Sequence, residues 1–180
     1  MRARRHDPDR RGRILDAALE VIADNGVAGT THRVIAARAD VPLGSLTYHF
    51  SGLEDLLTQA FERHAEQMSV LYAAHFAEVR THEQFVEAVT DLVLGNADAH
   101  TRDWMRVYEL YVAALRKPAL RVVTDRWMST SRKVLERHID SDTARAVVAL
   151  VEGLVLHRTL STSAPSRHEI RSIVQRAIPA

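Results

Sequence analysis

Helix start and stop signals recur along this whole chain, and no stretch alternates apolar and polar residues for long enough to make a strand. That combination restricts the fold more than any other feature, because the chain must bury itself as helices packed on helices. Thr81-His-Glu-Gln84 and Ser166-Arg-His-Glu169 each set a hydroxyl three residues before a carboxylate or amide. In such a capping box each side chain satisfies a backbone amide at the other's position. Ser51-Gly-Leu-Glu54 has the same form. Asp7-Pro8 joins a capping side chain to a ring preset for a first helical turn, while Thr31 and Asp140-Ser141-Asp142 offer further caps. Asn25-Gly26 and Lys117-Pro118 are stops. The reading is an all-α chain of about nine helices.

Apolar residues at helical spacing fill in the faces. Ile14, Leu15, Ala18, Leu19 and Ile22 share one face of a first helix, and Ile35, Ala36 and Ala39 one face of a short second helix. From Leu53 the apolar positions continue through Leu56, Leu57, Ala60 and Phe61 to Met68, Leu71, Tyr72, Phe76 and Val79. A helix of about 28 residues there would be roughly 42 Å long, enough to join two bodies. Later helices carry Phe85 and Val89, then Trp104, Tyr108 and Tyr111, then Trp127 and Met128 between about 119 and 139. The segment 144–156 is apolar nearly all round, which predicts burial on more than one side, and 170–178 has one apolar face.

Composition excludes several classes. With 46% hydrophobic and 26% charged residues the chain is an ordinary globular one, and 180 residues suffice for a sizeable core or for a small module joined to a larger one. The lack of cysteine removes disulfides and thiolate metal sites, in keeping with a reducing compartment. No apolar run follows the N-terminal arginines as in a signal peptide, and the longest apolar stretch is too short and too interrupted to span a bilayer. A cytoplasmic protein with no membrane partner is expected. The net charge of +1 hides a local excess: residues 1–13 hold six arginines against Asp7 and Asp9. Such a basic arm, centred on residues 1–7, suits a phosphate backbone, and equally a solvated tail.

The segment Val41-Pro-Leu-Gly-Ser-Leu-Thr-Tyr-His-Phe50 is too polar for a core helix and follows a tight Pro-Leu-Gly turn. Leu46 and Phe50, four apart, can anchor it, with Val41 pinning the turn. Leu43, Gly44, Ser45, Thr47, Tyr48 and His49 are then left facing outward. Three short helices, the last two joined by such a turn, are the outline of a helix-turn-helix. Hydroxyls and imidazoles suit phosphate oxygens and base edges, and a glycine permits close approach. A polar surface helix with a chance aromatic pair has the same pattern.

The run "TTHRVIAARADVPLGSLTYHFSGLEDLL" resembles the DNA-binding signature of the TetR family of bacterial transcriptional regulators. The resemblance lies in a threonine-capped helix, a tight turn, a glycine-led recognition helix ending in a Tyr-His-Phe run, and a capped long helix behind it. It covers about residues 10–60, and the helix-only remainder agrees. It implies a three-helix DNA-binding domain over 1–52 and a helical regulatory and dimerisation domain over 53–180. Base contacts are implied at Arg33, Leu43, Gly44, Ser45 and Thr47, and phosphate contacts at Thr31, Tyr48 and His49. A guanidinium at Arg33 could bond guanine O6 and N7 together. Two positions depart from the family pattern. Asp40 stands where glycine is usual, but aspartate tolerates a left-handed backbone. Leu53 stands where a phosphate-touching lysine is frequent, a contact the arginine arm could take over.

The same resemblance implies a homodimer through the last two helices, with Val147, Val151, Gly153, Leu154, Ile170 and Val174 at the interface. Gly153 costs helix stability, so close approach of another helix is a plausible reason for it; packing inside one chain is the alternative. It also implies a pocket for a small-molecule effector in the middle helices, drawing on Tyr72, Phe76, Phe85 and Trp104 together with Tyr108, Tyr111, Trp127 and Met128. The partners are then double-stranded operator DNA, a second copy and an effector, with no resident cofactor and no metal. An enzyme is the competing class. His82-Glu83 and His168-Glu169 lack the second histidine of a zinc-binding HExxH, and no phosphate-cradling glycine loop appears. A helical interaction protein that no longer binds DNA is a second competitor.

Overall fold

The computed structural model describes residues 9–95 and 97–179. Arg2, Arg4 and Arg5 of the expected arm, and the Asp7-Pro8 cap, lie outside those residues. Among the described residues there are nine α-helices and no strand: α1 (Arg10–Asn25), α2 (His32–Arg38), α3 (Gly44–His49), α4 (Leu53–His75), α5 (His82–Leu94), α6 (Ala97–Arg116), α7 (Arg121–Leu135), α8 (Ser141–Leu160) and α9 (Arg167–Ala177). A 3₁₀ turn, Pro118–Leu120, precedes α7, where one helix from about 119 to 139 was expected. Proline at the first position of that turn fixes its backbone after the α6 stop.

Most caps sit where the sequence puts them. The Thr31 hydroxyl accepts the Val34 amide at 3.3 Å, and Asp140 accepts the amides of Asp142 and Thr143 at 3.0 Å each. Both capping boxes, Thr81 with Gln84 and Ser166 with Glu169, are formed in both directions. The box at Ser51 is shifted by one residue. α4 begins at Leu53, so the carboxylate that reaches back to the Ser51 amide, at 2.9 Å, belongs to Asp55 and not to Glu54. α4 is also shorter than expected, 23 residues, and Leu71, assigned to its buried face, is 59% exposed. Val70, Leu71 and Tyr72 are consecutive, and only Tyr72 continues the face of Phe61 and Ala65.

The helices pack as two compact units. The first comprises residues up to 65 together with 105–123. Its core is Ile14, Leu15, Ala18 and Leu19 of α1 against Ile35 and Ala36 of α2, Leu46 and Phe50 around α3, and Leu56 and Ala60 of α4. Arg63 grips Asp16 with two bonds of 2.6 and 3.0 Å, joining α4 to α1. Arg38 bridges Glu20 and Asp24 at 3.1 and 2.9 Å, tying the end of α2 to α1. From α6, Arg106 donates to the Leu19 carbonyl at 3.2 Å and Glu109 accepts the Val27 amide at 2.8 Å.

The second unit comprises 66–104 and 124–180. There α5 packs against both α8 and α9. Val86 and Val89 of α5 meet an interior that also takes Val147, Val151 and Val155 of α8 and Ile170 and Val174 of α9, all buried. On the outside, Arg167 bonds Glu87 and Asp91 at 2.6 Å each, and Arg171 bonds Glu83 and Glu87.

Candidate nucleic-acid interface

The turn before α3 is built on Asp40, whose φ of 51° makes it the one described non-glycine residue with a left-handed backbone. Aspartate accepts that conformation at little cost, so the turn forms without glycine. Its amide bonds the Ala37 carbonyl at 3.3 Å, and the Val41 amide bonds Ala36 at 3.1 Å. The Ser45 and Leu46 amides then close on Pro42 and Leu43, starting α3. Leu46 is fully buried, Phe50 nearly so, and Val41 packs against the same core. Those three residues hold α3, as their spacing predicts.

The remaining residues of α3 point away from the core. Tyr48 is 84% exposed and Leu43 50%. Gly44 and Thr47 are exposed too, and Ser45 and His49 are partly so. The His49 ring stands edge-on to Tyr48 at 5.0 Å and to Phe50 at 6.3 Å, so Tyr48 is steadied through His49 from the buried Phe50. The Thr47 hydroxyl donates to the Gly44 carbonyl at 3.1 Å, leaving its oxygen lone pairs and methyl outward. Thr31 uses its oxygen as a cap acceptor and keeps its hydroxyl hydrogen to give. Arg33 is exposed on α2 and bonds none of the described residues. A Cβ added at Gly44 would meet no atom within 4 Å, and its backbone is ordinary helix. The fold itself therefore has no need of glycine there.

Arg10, Arg11 and Arg13 lie on α1, and Arg11 bonds Gln59 and sits 5.7 Å above the Phe50 ring. Leu53 is partly buried against the helix-turn-helix core, so apolar packing occupies the place where a lysine is frequent in the family.

The residues expected to form an effector pocket are divided between the two units. Tyr72, Phe76 and Phe85 gather: their rings are 5.1 and 5.7 Å apart in sequence along the cluster, and His138 stacks on Phe85 at 5.2 Å. Trp104 and Trp127 are buried in the same unit. Met128 is at the surface, 36% exposed, whereas Tyr108 and Tyr111 are half-buried members of the first unit. Burial, helped by the Glu152 charge, pushes the Tyr72 phenol well above its usual range. The sequence reading missed one feature. Trp127 Nε1 and Ser131 Oγ, one turn apart on α7 and both more than nine-tenths buried, have no hydrogen-bond partner among the described residues. Buried donors are nearly always paired.

The six residues expected at a dimer interface also divide. Val147, Val151, Ile170 and Val174 are consumed by the core of their own unit. Gly153 and Leu154 remain partly exposed. Because α8 is apolar nearly all round, its periodicity does not distinguish the stripe that faces its own chain. In the folded chain that stripe is Ala144, Val147, Val151 and Val155. Ala146, Ala149, Gly153, Leu156 and Leu160 run along the other side, and a Cβ at Gly153 would meet nothing within 4 Å.

A helix-turn-helix with a solvent-facing third helix, among described residues that form only helices, is the geometry of a DNA-binding module. Residues 14–60 match the profile of bacterial regulatory proteins of the tetR family, and residues 80–180 match the tetracyclin repressor-like C-terminal domain. The chain belongs to the TetR family of transcriptional regulators. It is similar to SCO7518 of Streptomyces coelicolor A3(2), with 43% identity, 96% of this chain and 100% of that one covered, and a TM-score of 0.88. It is similar to the multidrug binding protein EbrR in complex with ethidium, with 37% identity, 95% and 99% covered, and a TM-score of 0.78. It also resembles the HTH-type transcriptional regulator BetI 1 of Chromohalobacter salexigens, 28% identical over 86% of this chain and 81% of that protein. No described helix is long and apolar enough to cross a membrane.

Proposed function

We propose that this chain is a ligand-responsive repressor that binds a palindromic operator as a homodimer in the cytoplasm and leaves it when a small molecule binds. The observation that carries the DNA-reading part is the α3 face, where a buried Leu46 holds a helix whose Gly44, Thr47 and Tyr48 are open to solvent. Residues 1–52 carry recognition and 53–180 carry regulation. Arg33, Leu43, Gly44, Ser45 and Thr47 contact base edges, while Thr31, Tyr48 and His49 fix register on the phosphates. A two-fold dimer presents two such faces, which calls for half-sites about one helical turn apart or more.

The dimer forms on the uncovered side of α8, beside α9. Ala146, Ala149, Gly153, Leu156 and Leu160 alternate three and four apart, the spacing of a helix–helix seam. The small residues among them let a second helix come close.

The effector lies in the aromatic interior of the second unit, against Tyr72, Phe76, Trp104 and Trp127. The unpaired Trp127 Nε1 and Ser131 Oγ support an acceptor-bearing ligand. EbrR is described in complex with ethidium, malachite green and proflavin. Flat aromatic compounds of that kind suit the ring cluster here, and the Glu152 charge near Tyr72 suits a positive one. Repression is relieved if the effector binds the DNA-incompetent state more tightly.

The deciding experiment is a footprint of the purified protein on DNA flanking its own gene, repeated with ethidium and proflavin. A protected palindrome released by a dye is expected. An unprotected region, with no shift of any fragment from the genome, would overturn the reading.

A further inference from the structure

A cleft of about 210 Å³ opens in the second unit, lined by Arg80, Thr81, His82, Phe85, Arg137 and His138. It brings the start of α5 beside the segment that follows α7, residues more than fifty apart in sequence. Its floor is the stacked pair of Phe85, 2% exposed, and His138. Its rim is cationic and holds no carboxylate. Both guanidinium charges act on the His138 imidazole, which burial, Arg137 and Arg80 together hold below the usual histidine range. Two like charges therefore converge on one ring.

Apart from Glu78, the acidic groups nearby are engaged elsewhere. Glu83 is bonded to Arg171, Glu136 to Ser141 and Arg132, and Asp140 caps α8. Glu78 reaches Arg80 only at 3.5 Å, with both side chains exposed. Arg80 is itself held in place, since its Nη1 donates to the Ala77 carbonyl at 2.7 Å and to the Val79 carbonyl at 3.0 Å. The Arg137 guanidinium bonds none of the described residues. The α5 amides of Thr81 and Gln84 are satisfied by the capping box. The charge of the rim comes from its arginine side chains.

We propose that this cleft binds a small planar organic anion, its carboxylate or phosphate held between Arg80 and Arg137 and its flat body lying against the His138–Phe85 stack. A guanidinium matches an oxyanion with two parallel donors, and an aromatic floor favours a planar partner. The volume is below the roughly 300–1,000 Å³ of sites for drug-sized ligands, so the ligand is small. The cleft adjoins the aromatic cluster assigned to the effector, since Phe76 lies 6.4 Å from the His138 ring and 5.7 Å from Phe85, but its charged rim is distinct from it.

The test is a titration of benzoate, and separately of inorganic phosphate, into the full-length protein without DNA, followed by calorimetry and by NMR of the histidine rings. Saturable binding of benzoate with perturbation of His82 and His138 is expected. Arg137→Ala should weaken it by about tenfold or more, the loss of a charge-assisted bond. Arg80→Gln should do the same, and Arg126→Ala, at an exposed position early in α7 and well before Arg137, should leave it unchanged. Circular dichroism confirms that the exposed Arg137→Ala variant is folded. Unsaturable shifts, or equal affinity in the Arg137→Ala and Arg80→Gln variants, would overturn the proposal. Dye-dependent release from the operator tests the effector reading independently.

Discussion

The Glu109 carboxylate of α6 accepts the Val27 backbone amide at 2.8 Å, across 82 residues of chain. Val27 follows Gly26, whose φ of 67° and ψ of 171° turn the chain out of α1 in a conformation almost confined to glycine. The same carboxylate lies 3.1 Å from where a Gly26 Cβ would be. Glu109→Ala strands a partly buried amide and should cost about 1–2 kcal/mol in denaturant unfolding. Gly26→Ala combines strain with a crowded carboxylate and should cost about 1–3 kcal/mol. Unchanged midpoints for both would mean that α6 does not secure this loop.

Gly44 offers a way to test recognition apart from folding. Nothing within 4 Å would touch a new methyl group, so Gly44→Ala should leave the thermal midpoint unchanged or slightly raised. Operator affinity should fall, since the methyl group would stand between α3 and the groove. Equal affinity by gel shift would remove Gly44 from the reading face.

Arg33→Ala should weaken operator binding by about 1–3 kcal/mol and relax base preference at one position. Tyr48→Phe removes the hydroxyl proposed to meet a phosphate and should weaken binding more evenly across sequences. Competition assays with permuted operators read both effects. Identical specificity profiles for the two variants would contradict the division of labour.

Leu46 is the opposite case, fully buried in the core shared by α1, α2 and α4. Leu46→Ala should cost about 2–5 kcal/mol of the first unit's stability and abolish binding through unfolding. Hydrogen exchange would show lost protection in α1 to α3.

Acid should loosen the α5–α9 face. Bonds from Arg171 and Arg167 hold the Glu87 carboxyl below the usual range. A carboxylate depressed in the folded state stabilises fully above its unfolded value, about 4.3, and that contribution is lost as pH falls through the lower folded value. Glu87→Gln should therefore flatten the decline of the thermal midpoint in that acid window and lower its sensitivity to salt. Because the groups are exposed, the effect is small.

Much of this was legible in the sequence because the controlling interactions are local. Caps at Thr31, Thr81, Asp140 and Ser166, and the tolerance of Asp40 for a positive φ, depend on residues within four positions. The shift from Glu54 to Asp55 at the Ser51 box shows the limit of such patterns, since the helix can begin one residue later. What escaped was set by contacts distant in sequence. The Glu109–Val27 bond, the unpaired donors at Trp127 and Ser131, and the Arg80–Arg137 cleft leave no short motif. The α8 residues escaped for a different reason. In a helix apolar nearly all round, the inward stripe is chosen by α5 and α9 and not by its own periodicity.

Gly44 and Gly153 share a property with a practical consequence: each sits in a helix with open space where a side chain would go. A campaign that ranked substitutions by melting temperature of the isolated subunit would replace both with alanine and record an improvement. If those gaps are where a groove and a second helix enter, the hardened variant would be a poorer switch. Thermostability and regulatory output should therefore be scored side by side, and these two positions are where the scores should diverge most.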